Sequence, residues 1–281
     1  VLEKQFLLVI PFSAIELGLR AAFSFPPQKG RRLPYSRSYI VQRAKTALYP
    51  KRDHLIRQAS RLGLKLRQLT TNELAPIFYR IYHPQSDRTQ GLVPSHGLPM
   101  RDFLAPNEME VDWDLLRIDQ TLFRTLFVAN YPRFVNAGWL DPLINFDHAL
   151  TISFFIYPTE GKSVLDDLRR KIAEMEAEIA TDVQRGKIIN PGTQAKLEDA
   201  VSLQDELVRG AERFFQFSFY VTIPETNRAE LENVSQQVQS TLGALLVSAK
   251  PASLAQVDAF ISTLPIGVDK LSMVRNMDTS S

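Results

Sequence analysis

The sequence contains no cysteine and only four histidines. The first absence excludes disulfides, thiol catalysis and thiolate metal sites, and fits a reducing compartment. The second leaves His54, His83, His96 and His148, no two of them four residues apart, so no H-E-x-x-H metal motif exists. Each reads as a structural or solvated imidazole, because acid–base chemistry needs paired groups. Long apolar runs are also missing. "FLLVIPF" (Phe6 to Phe12) is far shorter than the ~20 residues of a membrane span and is broken by Pro11. No secretory signal is visible, and the opening Val1 reads as a trimmed start.

Acidic residues are scarce in one part of the chain only. Residues 1–100 carry 16 Lys and Arg against 5 Asp and Glu, a net of +11, while residues 101–281 carry 17 against 26, a net of −9. Two charge regimes imply different neighbours for the two parts. The basic part fits anionic lipid, nucleic acid or an acidic partner, and equally an ordinary solvated surface. Its candidate contacts are Lys29, Arg31 and Arg32 in a Pro- and Gly-rich loop (26–38), and Lys51, Arg52, Arg57 and Arg61 in the segment after Pro50.

What is present is enough apolar residue for real cores, 44% of 281 residues. "KQFLLVIPF" (Lys4–Phe12) reads as a buried strand. Pro50–Gly63 reads as a helix, with Pro50 at its first position, Leu55, Ala59 and Leu62 inward and Gly63 as its stop. Leu64–Thr70 alternates as a strand does, and Thr71 is placed to cap a helix that turns Leu74, Ile77, Phe78 and Ile81 inward. The basic part therefore reads β–α–β–α over residues 1–83, and the proline-rich residues 84–110 read as a linker.

Beyond it, "VDWDLLRI" and "TLFRTLFVANYP" flank Asp119-Gln120 as a β-hairpin. A short helix is expected in "NAGWLDPLINF" and a strand over His148–Pro158. Val164, Leu168, Ile172, Met175, Ile179 and Val183 recur at spacings of three and four, a helical stripe. With Leu197, Val201, Leu207 and Ala211 after Pro191, this predicts an antiparallel helical hairpin over 163–212. Phe214–Pro224 reads as an aromatic strand with a core face. Leu231, Val234, Val238, Leu242 and Leu245 then mark a helix, Ala244–Pro251 overlaps it and turns into a strand, and Ser253 is placed to cap a last helix carrying Leu254, Val257, Phe260, Ile261 and Leu264. The fold class is α+β: two lobes of mixed sheet covered by helices, the acidic lobe over 111–281.

The motifs carry little chemistry. Gly161-Lys162-Ser163 follows a strand and opens a helix, as a nucleotide-binding P-loop ends. The glycine that should start such a loop falls on Ile156, and Pro158 has no N–H to offer a phosphate. No ATPase activity is expected of this chain, and no catalytic, cofactor or metal residue is assigned. Asp166-Asp167 suits the first turn of a helix, and Asn107–Asp114 lacks calcium-loop spacing.

Three stretches taken together, Arg43–Pro84, Arg124–Pro158 ("RTLFVANYPRFVNAGWLDPLINFDHALTISFFIYP") and Arg275–Ser281 ("RNMDTSS"), resemble the amino-terminal region of the conjugative-transfer ATPases of type IV secretion systems. The resemblance rests on Arg124, Leu126 and Pro132 in one strand, on Gly138-Trp139-Leu140, on Ile156-Tyr157-Pro158 and on Met277-Asp278-Thr279, in that order, and covers most of residues 40–281. It implies a parent P-loop ATPase, using ATP and magnesium at a site beyond residue 281, of which this chain is a non-catalytic interaction domain. It further implies docking on inner-membrane components of the secretion machine, a peripheral position at the cytoplasmic face of the inner membrane, and homo-oligomer contacts. A nucleic-acid-binding module acting through the basic lobe is the alternative.

Overall fold

The computed structural model describes residues 37–83, 104–132, 135–159, 161–186, 191–209 and 213–278. Two compact units divide the chain, one made mainly of residues before Pro106 and the other mainly of residues from Pro106 on. The expected strand at Lys4–Phe12 and most of the expected linker at 84–110 lie outside the described residues. The end of that linker, Met109 and Glu110, belongs to a strand.

In the first unit the helix expected from Pro50 is longer. Helix α1 spans Arg37–Arg61, with Pro50 inside it. A proline removes one N–H bond and crowds the carbonyl four residues back. The helix continues through it because Ala44, Lys45, Ala47 and Leu48 on one side, and Leu55 and Ala59 on the other, favour helix. The stop at Gly63 is as expected. Its φ is +78°, its N–H donates to the Ser60 carbonyl at 3.1 Å, and Leu64 N–H reaches back to the Ala59 carbonyl at 2.9 Å. This pair of bonds satisfies carbonyls the helix end would otherwise orphan. Ala59 is buried, but Leu62 is 78% exposed, because it follows the last helical residue and leaves the inward stripe.

Leu64–Thr70 forms no strand and connects α1 to α2 (Thr71–Tyr82). Alternation specifies a strand only where another strand offers a ladder, and the described residues of this unit contain none. The cap of α2 is Thr70, one residue before the expected Thr71. Glu73 accepts hydrogen bonds from the Thr70 N–H at 2.7 Å and the Thr70 hydroxyl at 2.8 Å. Leu74, Ile77, Phe78 and Ile81 are half-buried, and Ala75 is the fully buried residue of α2.

The second unit contains β1 (Met109–Val111), β2 (Leu116–Ile118), β3 (Thr121–Asn130), α3 (Asp141–Ile144), β4 (Thr151–Pro158), α4 (Gly161–Gln184), α5 (Pro191–Val208), β5 (Phe214–Glu225), α6 (Arg228–Ala244), β6 (Ser248–Pro251), α7 (Gln256–Thr263) and β7 (Arg275–Asp278). Among the described residues its sheet has seven strands, in the order β1-β2-β3-β5-β4, with β6 joined to β3 and β7 to β5. Every ladder is antiparallel, and the α+β class is as the sequence predicts. The expected single strand "VDWDLLRI" is two: Asp112 N–H bonds the Leu115 carbonyl at 2.9 Å and turns β1 back onto β2. The hairpin around Asp119 is as expected, with Asp119 at φ +50°.

Side-chain alternation assigns the two faces. Leu126, Val128, Phe219, Val221 and Ile223 share one core with Leu231, Val234, Val238 and Leu242 of α6 and with Leu143 of α3. Trp139 meets Phe219 edge-on at 6.2 Å. It is preceded by Gly138 at φ +80°, where an added Cβ would lie 3.0 Å from the Asp141 carboxylate. The other face is covered by α7. Phe260 meets Phe123 edge-on at 5.0 Å, and beside them Thr125, Thr222 and Thr263 join hydroxyls at 2.7 and 2.9 Å. The cap of α7 is Ala255, not the expected Ser253, and Leu254 is 88% exposed at φ +65°. Its N–H donates to the Trp113 carbonyl at 2.6 Å, which holds it in the turn before the helix rather than in the inward stripe.

The predicted helical hairpin is present. α4 and α5 pack against each other, with Ile172 buried and Val164, Leu168, Met175 and Ile179 half-buried, while Val183 at the far end is exposed. Among the described side chains none of theirs belongs to the sheet's core cluster.

Candidate anionic-surface site and its surroundings

Of the seven candidate contacts, Lys29, Arg31 and Arg32 lie outside the described residues. The other four are on α1 and differ in what they can do. Arg52 is committed: its guanidinium bonds Asp53 at 2.8 Å and Gln68 at 2.8 Å, and lies 4.6 Å over the Tyr49 ring. Lys51 is half-buried. Arg57 and Arg61 are exposed, one helical turn apart on one face, and enter no ion pair among the described residues.

The surrounding charge is one-sided. Residues 37–83 hold ten Lys and Arg and two acids, Asp53 and Glu73. Both acids are taken up by arginines, Asp53 by Arg52 and Glu73 by Arg67. The Thr70 bonds, backbone first, and then Arg67 hold the Glu73 carboxyl at about 2. The positive field of Arg57 and Arg61 is therefore not cancelled by a carboxylate of this segment. Such a face can hold phosphates or acidic side chains by Coulomb attraction, with a range set by the screening length of about 8 Å at physiological salt.

The acidic stretch Asn107–Asp114 is neutralised within the second unit. Glu108 and Glu110 hold Arg117, and Asp112 takes Arg228 at 3.2 Å. Asp114 is shared by Arg228, at 3.1 Å, and Arg124. Arg124 has a side chain only 4% exposed and also reaches Glu232 at 2.6 Å and the Ser235 hydroxyl at 3.3 Å. Hydrogen bonding from Arg124, with a smaller part from Gln236, lowers the Glu232 pKa. This cluster, which the sequence reading did not assemble, fastens β3 to α6. An arginine amid "TLFRTLFV" was its signal.

A second polar lock joins β5 to the turn before β7. Asp269 accepts from the Ser218 and Tyr220 hydroxyls at 2.8 Å each, and Met273 N–H donates to the Tyr220 hydroxyl at 3.0 Å. Burial, more than Asp269, raises the Tyr220 pKa.

The histidines stay apart from one another in role. His54 is exposed on α1, His83 ends α2, His148 lies 3.6 Å from Glu225, and His96 is outside the described residues. No group of three or more potential metal ligands occurs among the described residues. At the P-loop-like segment, Ile156, Tyr157 and Pro158 are ladder residues of β4, opposite Phe217, Gln216 and Phe215. α4 begins at Gly161 itself, so only two residues separate strand from helix. Among the described residues no helix is long and apolar enough to cross a membrane. No protein-family model matches the chain, and no curated protein matches it.

Proposed function

We propose that this chain is a non-catalytic assembly domain of a conjugative-transfer ATPase of type IV secretion systems, docked on the inner-membrane part of that machine with α1 turned to an anionic surface. The machine is named by the resemblance of Arg43–Pro84, Arg124–Pro158 and Arg275–Ser281. The observation that carries the surface is the exposure of Arg57 and Arg61 in a segment whose two acids are already taken by other arginines. Near an anionic leaflet each basic residue contributes about 1 kcal/mol, so a cluster holds a domain at the membrane without a span. On this reading the position is cytoplasmic and peripheral. ATP and magnesium belong to the parent's nucleotide domain, and its oligomer brings several basic faces to one membrane.

Co-sedimentation with vesicles is the test. The chain should pellet with anionic vesicles at low salt, remain in solution with neutral ones, and lose most of its binding when Arg57 and Arg61 become Ser. Equal recovery on both lipids would overturn the anionic-surface reading. Tighter binding to DNA than to vesicles, with a steep salt slope, would favour the nucleic-acid alternative. ATP turnover abolished by Lys162→Ala would overturn the non-catalytic reading.

A further inference from the structure

Among the described residues β4 is a margin of the sheet and pairs with β5 alone. Which of its backbone groups face outward follows from one bond. Thr159 N–H donates to the Phe214 carbonyl at 3.1 Å, and the ladder continues without a register shift from Pro158 opposite Phe215. Hydrogen-bonded and non-hydrogen-bonded pairs alternate along an antiparallel ladder. Thr151, Ser153, Phe155 and Tyr157 therefore turn their N–H and C=O groups toward β5. Ile152, Phe154 and Ile156 turn theirs away from it. Pro158, which has no N–H, falls at an outward position, the place a proline can take without breaking the ladder.

Edge strands are ordinarily defended by a charge, a proline, a bulge or brevity, and β4 has only Pro158, at its very end. β4 has eight residues and no bulge, and Leu150–Thr159 contains no charged residue. Its apolar side chains are uncovered: Ile156 is 62% exposed, and Phe154 and Tyr157 are exposed as well. Phe154 is nonetheless held in place, stacked on Phe217 at 5.7 Å and 4.7 Å from Phe219. A rigid apolar margin with free backbone groups is a template for another strand.

We infer that β4 pairs antiparallel with β4 of a second copy of this chain, about a two-fold axis at Phe154, so that two sheets become one. An axis normal to the sheet keeps each side chain on its own face, so opposed residues are an even number apart. Phe154 then faces Phe154 of the partner subunit, and Ile152 faces Ile156 of the partner subunit. These are the residues whose backbone groups point outward, and each pair exchanges two hydrogen bonds. On the opposite face Thr151 meets Tyr157 and Ser153 meets Phe155. Pro158 falls opposite Leu150, where pairing ends. The strand is thus its own complement, apolar against apolar and hydroxyl against aromatic, with no charge left against an apolar partner. This inference stands apart from the secretion-machine reading and from α1.

The test is the association state of the whole chain. Sedimentation velocity between about 1 and 100 μM, the range expected of a small interface, should show a monomer–dimer equilibrium. Ile156→Lys, at a position exposed in the monomer, should weaken association at least about tenfold and, at a concentration where the unaltered chain is monomeric, leave the melting curve unchanged. Because the chain has no cysteine, an introduced thiol reports without background. Phe154→Cys should form a disulfide dimer under mild oxidation, since paired Cα atoms stand about 5.5 Å apart, and Ile156→Cys should not. The Ile152→Cys, Ile156→Cys double variant keeps the Phe154 ring and should cross-link again. A monomer at every concentration, as when another segment of the same chain covers the edge, would overturn the inference. So would a dimer indifferent to Ile156→Lys, or cross-linking of Ile156→Cys as ready as that of Phe154→Cys.

Discussion

The Arg124 guanidinium lies 2.6 Å from the Glu232 carboxylate, across 108 residues of sequence, while its other nitrogen holds Asp114. Asp114 is buried, whereas the Glu232 side chain is 53% exposed. The two carboxylates are therefore unequal partners. Removing Arg124 leaves Asp114 in a buried place with only Arg228. Arg124→Leu should destabilise the fold by about 3–5 kcal/mol. Glu232→Gln should cost less than about 1 kcal/mol, because solvent already screens that pair. Urea unfolding of the three proteins measures both, and equal effects would refute the assignment of Asp114 as the dominant partner.

Gln256 substitutes for a strand. On one margin of β3, β2 pairs with Thr121–Phe123 and β6 with Leu126–Asn130. Between them the Thr125 carbonyl is met by the Ala252 N–H at 3.0 Å, but its N–H finds no strand partner among the described residues. The Gln256 amide oxygen accepts from Thr125 N–H at 2.8 Å, and its NH₂ donates to the Thr125 carbonyl at 3.2 Å. Gln256→Leu would leave a buried N–H unpaired and should cost about 1–3 kcal/mol. Hydrogen exchange at the Thr125 amide should accelerate in the variant beyond the change in global stability, and unchanged relative protection would refute this role.

Glu73 titrates below the ordinary carboxylate value of 4.5, at about 2. Since its folded value is depressed, its contribution is complete above the ordinary value and is lost as pH falls toward about 2. The Thr70 amide resonance should move with a midpoint near 2, and Glu73→Gln should remove that titration. A midpoint near 4.5 would show that the carboxylate does not hold the cap.

The helical hairpin should be dispensable to the sheet. Replacing residues 165–210 by a short linker removes most of α4 and α5 but none of the core cluster. The truncated chain should lose helical circular dichroism and still unfold cooperatively. Loss of all cooperative unfolding would place the hairpin in the core.

Much of this fold was legible where one residue pattern met one period. Leu231, Val234, Val238 and Leu242 recur at helical spacing and are all buried, and Phe217, Phe219 and Val221 alternate onto the same core. The failures share a cause: the deciding partner lies elsewhere. Leu64–Thr70 alternates but has no ladder to join. Pro50 looks like a helix start because proline suits a first helical position and usually breaks an interior, although Ile40, Ala44 and Leu48 recur at helical spacing before it. The site divides in the same way. The exposure of Arg57 and Arg61 follows from helical spacing alone, whereas the commitment of Arg52 depends on Gln68, 16 residues on. Arg124 is a charge in an apolar strand that enters the sequence reading only through the resemblance, and nothing local names Glu232.

The threonine hydroxyls between sheet and α7 have a direction. Thr263 donates to the Phe260 carbonyl at 2.8 Å, so its oxygen can only accept from Thr222, and Thr222 in turn must accept from Thr125. Protons are thus ordered one way, from β3 through β5 to the backbone of α7. The three positions are not equivalent under replacement by valine. Loss of Thr125 empties one lone pair at the start of the series and leaves every remaining hydroxyl with an acceptor. Loss of Thr263 strands the Thr222 proton in a buried layer, so the same change of one oxygen for one methyl should cost more at the helix than at the strand.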